Sequence, residues 1–193
     1  HEHQYTEYIG IDTSLPEKIV DCCLQNSYIP SLANLKQHKS QITYLNSRFD
    51  FAGVDENGVD FILEVKNVPL ADYVDCYAKD KKHMDLSKFE YNDKISYFPD
   101  GYRKRVKDTV SPRALKHTRE LTEIRKNTQK RAILCYVIQR TDVSSFQPSN
   151  IDPIYKEAVI EAYKNGVEIL PLVIKWEANG DCFLKCSDLK INI

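Results

Sequence analysis

The chain has 193 residues, of which 42% are apolar and 28% charged, a composition typical of a soluble globular protein. A chain of this length can bury a core without disulfide support. The net charge of −1 excludes attraction of the whole molecule to nucleic acid or membrane, so any such binding needs a local patch.

The first predicted element is a helix that begins at Ser14 and ends near Pro30. Pro16 suits its first turn, and apolar residues recur behind it at helical spacing. Two strands are expected next, over residues 41–53 and 59–68, and together they form a hairpin.

The segment 72–110 has no regular pattern, and we expect an insertion or a mobile loop there. Its basic residues fall in two clusters, which contain Lys79, Lys81, Lys82, Arg103, Lys104, Arg105 and Lys107. A contact with nucleic acid and a docking site for another protein are the two interpretations of this segment.

Two helices and three strands are expected after residue 110, and they alternate along the chain. The helices cover about 111–127, where Ser111 can cap the first turn, and the stretch from Pro153 to Asn165. The strands are the runs RAILCYVIQR, VEILPLVIKW and CFLKC, the first of which suits burial on both faces. This alternation predicts an α/β fold with a central sheet, in one domain over residues 1–193.

Six cysteines lie in the chain without a CxxC pair, which favours reduced, mostly buried thiols in an intracellular protein. A zinc site built from Cys182 and Cys186 would need two more ligands, and we find no candidates for them. We also find no signal-peptide pattern and no apolar run of the roughly 18 residues that a membrane span needs. We therefore expect an intracellular location, either cytoplasmic or organellar, the mitochondrion included, and no membrane partner.

The turn of the hairpin has two candidate lengths. A two-residue loop would put Phe51 opposite Glu64 and so mix apolar with charged residues. A three-residue loop ending at Gly58, in the left-handed conformation, instead puts Phe51 opposite Leu63. Only this second register separates an apolar from a charged face, so we expect it.

In this register Asp50 faces Glu64 with Lys66 two residues on, while Phe49 lies opposite Val65 on the other face. Two facing carboxylates repel each other, and a divalent cation between them reverses the sign of the interaction. Mg²⁺ takes one or two carboxylates and completes its shell with water and phosphate oxygens, and a neighbouring lysine can orient a water for attack. The alternative is a solvated hairpin face on which Lys66 pairs with an acid, and spacing alone favours that alternative.

Longer stretches of the chain resemble the sugar fermentation stimulation protein A family. The segments NSRFDFAG and FILEVKNVPLADY look like its signature, and GIDTSLPEKIVDCCLQNSYIPSL resembles the segment that follows its N-terminal domain. SPRALKHTREL resembles a further family motif, and the run from RAILCYVIQR to LPLVI is similar to the C-terminal half. The resemblance covers about residues 8–175, with breaks near 72–96 and 101–110.

The resemblance implies a PD-(D/E)XK, restriction-endonuclease-like core, with a central mixed sheet flanked by helices. It also implies DNA binding and, in some members, DNA cleavage with a divalent metal. Asp50, Glu64 and Lys66 match the catalytic motif. By this analogy Asp50, Glu64 and the Val65 carbonyl hold Mg²⁺ or Mn²⁺, and Lys66 positions the attacking water.

Three departures from the family pattern bear on this interpretation. The acidic residue that usually lies nine positions before the motif aspartate is Gln41 here, which adds no negative charge. The N-terminal OB-like DNA-binding domain has no counterpart in this chain, and the basic segment at 72–110 has none in the family. These departures motivate an alternative, a catalytically inactive subunit with a structural or binding role in a larger intracellular assembly, including an organellar ribonucleoprotein.

Six further residues are candidate nucleic-acid contacts, namely Arg48, Arg113, Lys116, His117, Gln139 and Arg140. Arg48 suits a phosphate contact or a structural ion pair equally. The helix residues are expected on the exposed side of 111–127, where the alternatives are a phosphate site and a solvated helix face. Gln139 and Arg140 end a buried strand, a common position for site residues in open α/β sheets. The expected partner is nucleic acid, DNA rather than RNA.

Overall fold

The computed structural model describes residues 6–101, 105 and 107–193. The helices are α1 (Leu15–Gln25), α2 (Ala78–Lys81), α3 (Pro112–Asn127) and α4 (Pro153–Lys164). The strands are β1 (Gln37–Tyr44), β2 (Ser47–Val54), β3 (Asp60–Val68), β4 (Ala71–Asp72), β5 (Lys94–Phe98), β6 (Arg131–Ile138), β7 (Val143–Pro148), β8 (Glu168–Trp176) and β9 (Cys182–Cys186). No helix in the described part of the chain is long and apolar enough to cross a membrane.

A mixed six-stranded sheet forms the centre, in the order β1-β2-β3-β6-β8-β9. The middle strands β3, β6 and β8 are parallel, and the outer pairings are antiparallel. Helix α1 covers one face through Val20 and Leu24, while α3 and α4 cover the other through residues such as Leu121 and Val159. The expected α/β architecture, a central mixed sheet flanked by helices, is confirmed.

Strand β6 is the most deeply buried part of the sheet, as its uninterrupted apolar sequence predicts. Its residues alternate between the two cores, so that Leu134 and Tyr136 belong to the α3/α4 side and Ile133 and Cys135 to the α1 side. Because β3 pairs with β6 from Phe61 to Val68, these residues of β3 are held against the least exposed part of the fold.

The single strand expected over 41–53 is in fact two strands. β1 and β2 form their own antiparallel hairpin, with a tight turn at residues 45–46 in which Leu45 has a φ of 52°. A sequence with alternating polar residues fits a strand on either side of this turn, and no glycine or proline marks the reversal.

The segment 72–110 was expected to be irregular, and this expectation is wrong where the segment forms regular elements. It contains α2 and β5, and β5 joins β4 and β7 in a separate three-stranded sheet. The buried carboxylate of Asp75 connects the segment to β7 and the residues that follow it. It accepts hydrogen bonds from Gln147 Nε2 (2.7 Å), Ser149 Oγ (2.8 Å) and the Asn150 amide (2.7 Å). Of the basic clusters, Arg103 and Lys104 lie outside the described residues.

The hairpin between β2 and β3 has the expected register from Phe51 opposite Leu63 to the turn, where Gly58 is left-handed at a φ of 84°, but the ladder ends before the expected pair of Asp50 and Glu64. The expected position of Phe49 is wrong, because Phe49 joins the α3/α4 core while Phe51 joins the α1 core. The β1–β2 ladder pairs the residues on either side but skips Gln41, which is left-handed at a φ of 56°, and Asp50 opposite it. This irregularity interrupts the alternation of side chains along β2.

Candidate active site

The predicted motif residues lie in the interior, beside the interrupted ladder. Asp50 comes from β2, and Glu64 and Lys66 come from one face of β3; the exposed fractions are 6%, 2% and 9%. Buried charges need partners or ligands, because desolvation of an isolated charge is costly. The burial therefore contradicts the solvated hairpin face that spacing alone favoured.

Where the β2–β3 ladder ends, the side chain of Asp50 accepts a hydrogen bond from the backbone of β3. Its Oδ2 accepts a hydrogen bond from the Val65 amide at 2.7 Å. Burial, followed by the charge of Glu64, raises the pKa of Asp50 to about 6, against the opposing effect of the Val65 amide. The two carboxylates are thus close enough for one to disfavour ionisation of the other.

Glu64 has an asymmetric set of partners. Its Oε1 accepts a hydrogen bond from Lys66 Nζ at 2.5 Å and is hydrogen bonded to His117 Nδ1 at 2.5 Å. Burial alone would raise the pKa of Glu64, but the hydrogen bond with His117 and the charge of Lys66 outweigh it and lower the pKa. Its Oε2 is buried and has no hydrogen-bond partner.

The unpartnered Glu64 Oε2 fits a cation ligand. Buried polar atoms in folded proteins are nearly always paired, so an orphaned carboxylate oxygen has room for a ligand, although Ser47 Oγ, Thr118 Oγ1 and Glu120 Oε2 also lack a partner. The donor set of Asp50, Glu64 and the Val65 carbonyl is the small oxygen set that Mg²⁺ accepts along with several waters. Within residues 6–101, 105 and 107–193, no group of three or more His, Cys, Asp or Glu residues is placed to hold a metal ion.

His117 was expected on the exposed side of α3, and this expectation is wrong. Its side chain is buried and packs against the Phe49 ring, with ring centroids 5.5 Å apart. The reason is helical spacing, since His117 lies on the inner face of α3 three residues after Ala114 and four before Leu121, both of which are buried. That spacing was visible in the sequence.

Glu17, an exposed residue in the first turn of α1, lies beside the predicted site residues although its sequence position did not indicate this. Its Oε2 accepts a hydrogen bond from Gln41 Nε2 at 2.6 Å, and Gln41 Oε1 in turn accepts one from Arg48 Nε. The charge of Glu17 is also among the influences that raise the pKa of Asp50, after burial and Glu64. Nothing in a helical pattern predicts this proximity, because it arises when α1 packs onto the sheet.

Two of the exposed basic candidates, Arg48 and Lys116, have contacts within the β1–β2 hairpin. Arg48 is exposed on β2 beside Gln41, and Arg113 is exposed in the first turn of α3. Lys116, also exposed, donates a hydrogen bond from Nζ to the Asn46 carbonyl at 2.6 Å, which connects α3 to the β1–β2 turn.

The candidates at the end of β6 are engaged in structural contacts. Gln139 is fully buried, accepts a hydrogen bond from Trp176 Nε1 at 2.9 Å and donates one to Asn67 Oδ1 at 3.1 Å. Gly10 covers it so closely that a Cβ there would lie 2.4 Å from Gln139 Oε1. Arg140 donates two hydrogen bonds to the Asp142 carboxylate, at 2.6 and 2.7 Å. A role for either residue in nucleic-acid binding stays a prediction.

Comparison with known proteins decides the family. The family described as sugar fermentation stimulation protein RE domain matches residues 14–180. The chain belongs to the sugar fermentation stimulation protein family. The predicted resemblance is thereby confirmed.

Curated members of the family from cyanobacteria are similar over most of the chain. A sugar fermentation stimulation protein homolog of Synechococcus sp. (strain JA-2-3B'a(2-13)) is 32% identical over 174 residues, which is 90% of this chain and 60% of that protein. The homolog of Crocosphaera subtropica is 32% identical over 189 residues, which is 95% of this chain and 66% of that protein. The chain thus spans about 60 to 66% of the length of these relatives.

The fold also has a solved counterpart. The structure of Pyrococcus furiosus SfsA in complex with Ca²⁺ superposes with a TM-score of 0.72 at 24% sequence identity, and the match covers 95% of this chain and 66% of that one. This likeness shows that the two proteins share their fold.

Proposed function

We propose that the protein is a metal-dependent phosphodiester hydrolase that acts on nucleic acid, DNA rather than RNA. The observation that carries the proposal is the buried pair of Asp50 and Glu64, in which Glu64 Oε2 has no partner while Lys66 holds the other oxygen. Selection for fold stability alone would not place two carboxylates together in a sheet interior.

Asp50, Glu64 and the Val65 carbonyl would hold Mg²⁺ or Mn²⁺, for which the orphaned oxygen is the supporting observation. The bound ion would supply positive charge to a phosphate and acidify a water molecule. The Ca²⁺ bound in the Pyrococcus furiosus SfsA structure supports cation binding by this fold.

Lys66 is the residue that we propose to orient the attacking water. Its ammonium group is buried against Glu64 Oε1, so its direction is fixed and its charge is little screened. In the hydrolysis one water is consumed, its oxygen bonds to phosphorus, one phosphodiester P–O bond breaks, and the leaving oxygen ends with a proton. His117 acts from the interior, where its hydrogen bond fixes the orientation of Glu64.

The exposed cations Arg48, Arg113 and Lys116 are the proposed contacts to the phosphate backbone. Such contacts position a nucleic acid without reading its sequence, and a protein of near-zero net charge needs local cations to make them. Because His117 is buried on Glu64, we assign it to the orientation of the carboxylate rather than to nucleic acid.

A cleavage assay tests the proposal. The purified chain is incubated with supercoiled plasmid, a single-stranded DNA circle and an RNA, in Mg²⁺, Mn²⁺ or EDTA. We expect metal-dependent cutting, preferentially of DNA. A Lys66→Ala variant should lose it by roughly 100-fold or more, the scale seen when a residue that stabilises a transition state is removed.

Lys164→Ala is the matched control, since Lys164 is an exposed lysine at the end of α4 and its loss should leave cutting unchanged. Equal cutting by wild type and Lys66→Ala would refute the assignment of Lys66. If no substrate is cut in any metal, the alternative of an inactive binding or structural subunit takes precedence.

A further inference from the structure

We propose that the cleft between the last turns of α3 and the β1–β2 turn binds a guanidinium group, supplied by an arginine in an extended segment of a partner protein. This α3 cleft has a volume of about 350 Å³, on the scale of pockets that hold small organic groups. The residues that line it include Tyr44, Asn46, Glu120, Glu123, Asn127 and Thr128. None of the residues of the carboxylate pair lines it, so the inference does not depend on the proposed function.

Glu120 provides the main observation. Its Oε2 is buried and has no hydrogen-bond partner. Its other oxygen lies 3.8 Å from Lys116 Nζ, beyond hydrogen-bond distance, and Lys116 instead donates to the Asn46 carbonyl at 2.6 Å. A buried carboxylate oxygen without a partner is costly, and a donor bound in the α3 cleft would remove that cost.

The lining on the same side of α3 offers further acceptors. Glu123 adds a second carboxylate to the α3 cleft. The Asn127 amide nitrogen donates to the Glu123 carbonyl at 3.0 Å and to Glu123 Oε2 at 3.2 Å, so its hydrogens are engaged within the helix. The α3 cleft therefore presents acceptors rather than donors to a ligand.

The position at the end of α3 also favours a cation, because the carboxyl end of a helix carries partial negative charge. The two basic residues of the last turn have contacts outside the α3 cleft. Lys126 pairs with Glu161 at 3.2 Å, and Arg125 packs beside Gly166, where a Cβ would lie 3.2 Å from its Nε.

A guanidinium group fits these features better than a metal ion does. In the part of the chain that the structure describes, no group of three or more His, Cys, Asp or Glu residues is placed to hold a metal ion. A guanidinium is planar, carries several donors and stacks on aromatic rings. Glu120 and Glu123 can accept its N–H groups, and Tyr44 can provide the ring.

The α3 cleft continues into further cavities, which is why we assign it to an extended segment rather than to a small free cation. A cavity of about 240 Å³ shares Tyr44 with it and is lined by Ile42 and Ala52, and one of about 500 Å³ shares Thr128 and reaches Gly58. A chain that places an arginine in the α3 cleft thus has surface beside it for its neighbouring side chains. The carboxylates disfavour a phosphate backbone, so the partner is a protein rather than a nucleic acid.

The test is a titration of the ¹⁵N-labelled protein followed by NMR at neutral pH and low salt. The probes are the peptide acetyl-Leu-Ala-Arg-Ala-Leu-amide, the same peptide with citrulline in place of arginine, and spermidine. Citrulline keeps the shape of arginine without its charge. The variant is Glu120→Gln, and the control is Glu157→Gln, which removes a charge from an exposed position of α4.

We expect the arginine peptide to shift the amide resonances of residues 44–46 and 120–128, and to bind about fivefold more tightly than the citrulline peptide or better. Glu120→Gln keeps the shape of the side chain and removes its charge, so the preference for arginine should fall to within about twofold. Glu157→Gln should retain the wild-type preference. The spectra of both variants report whether they are folded, so a loss of structure is distinguished from a loss of binding.

Four results would overturn the inference. They are no binding of the arginine peptide, equal binding of the citrulline peptide, shifts confined to other residues, or an unchanged preference in Glu120→Gln. Spermidine bound in the α3 cleft without any binding of the arginine peptide would make the ligand a free polyamine and not a protein. The cleavage assay tests the proposed function separately, so either proposal can fail without the other.

Discussion

At the scale of single residues, the most informative group is the Glu64 carboxylate. One of its oxygens has two partners, Lys66 and His117, and the other has none. This asymmetry fixes which oxygen remains for a ligand. The buried His117 imidazole finds its polar partner in the same oxygen.

The first prediction concerns Asp50 in the metal-free protein. Its pKa of about 6 lies above the value of 3.8 for an unfolded chain, so the folded state binds the proton more tightly between these values. The contribution of Asp50 to the free energy of unfolding should therefore fall as pH rises through this window, whereas the lowered pKa of Glu64 acts in the opposite direction. Asp50→Asn removes the dependence and should raise the stability at neutral pH by about 2 to 3 kcal/mol.

Urea unfolding in EDTA, at a series of pH values from about 4 to about 7, measures this effect. Glu157→Gln, at an exposed position of α4, is the control and should follow the wild-type pH dependence. A stability of Asp50→Asn below that of the wild type at neutral pH would show that the ionised carboxylate is favourable in the fold, against this account.

The second prediction concerns His117, whose hydrogen bond with Glu64 should stabilise the fold. His117→Leu keeps much of the buried volume but leaves Glu64 Oε1 with Lys66 alone, and should cost about 1 to 3 kcal/mol of unfolding free energy. His117→Asn keeps a donor at a similar place and should recover part of that loss. Equal stability of the leucine variant and the wild type would mean that the contact contributes nothing.

At the scale of elements, the strands and helices of the central sheet layer after residue 110 were predictable, and the strands of the second sheet were not. β6, α3 and α4 follow from local patterns, because each carries its periodicity within its own residues. β4, β5 and β7 are two to six residues long, and β5 pairs with a strand some fifty positions away. Their pairing depends on tertiary contacts such as those of Asp75, which no local pattern contains.

The third prediction tests what fixes the second sheet. Asp75→Ala leaves Gln147, Ser149 and the Asn150 amide without their common acceptor. The free energy needed to open β4 and β5 locally should therefore fall by about 2 to 4 kcal/mol. Hydrogen exchange should rise at Lys94–Phe98 and remain unchanged in α1. Uniform loss of protection over the whole chain would instead mean that the second sheet opens only with global unfolding.

At the scale of the whole molecule, the fold assembles the site from parts that are remote in sequence. The register of the β2–β3 hairpin and the family resemblance together predicted Asp50, Glu64 and Lys66 as a group. His117 and Glu17 reach the site only because α3 packs on one face of the sheet and α1 on the other. Their partners could not be read from local periodicity, although the helical position of His117 could.

The central claim is that Asp50 and Glu64 form a divalent-cation site, and a crystal soaked in Mn²⁺ tests it most directly. The anomalous difference map should show a peak in contact with Glu64 Oε2 and the Asp50 carboxylate, and this peak should be absent from crystals of Asp50→Asn. A soaked crystal with no peak between these two carboxylates, or with Mn²⁺ bound elsewhere, would contradict the account.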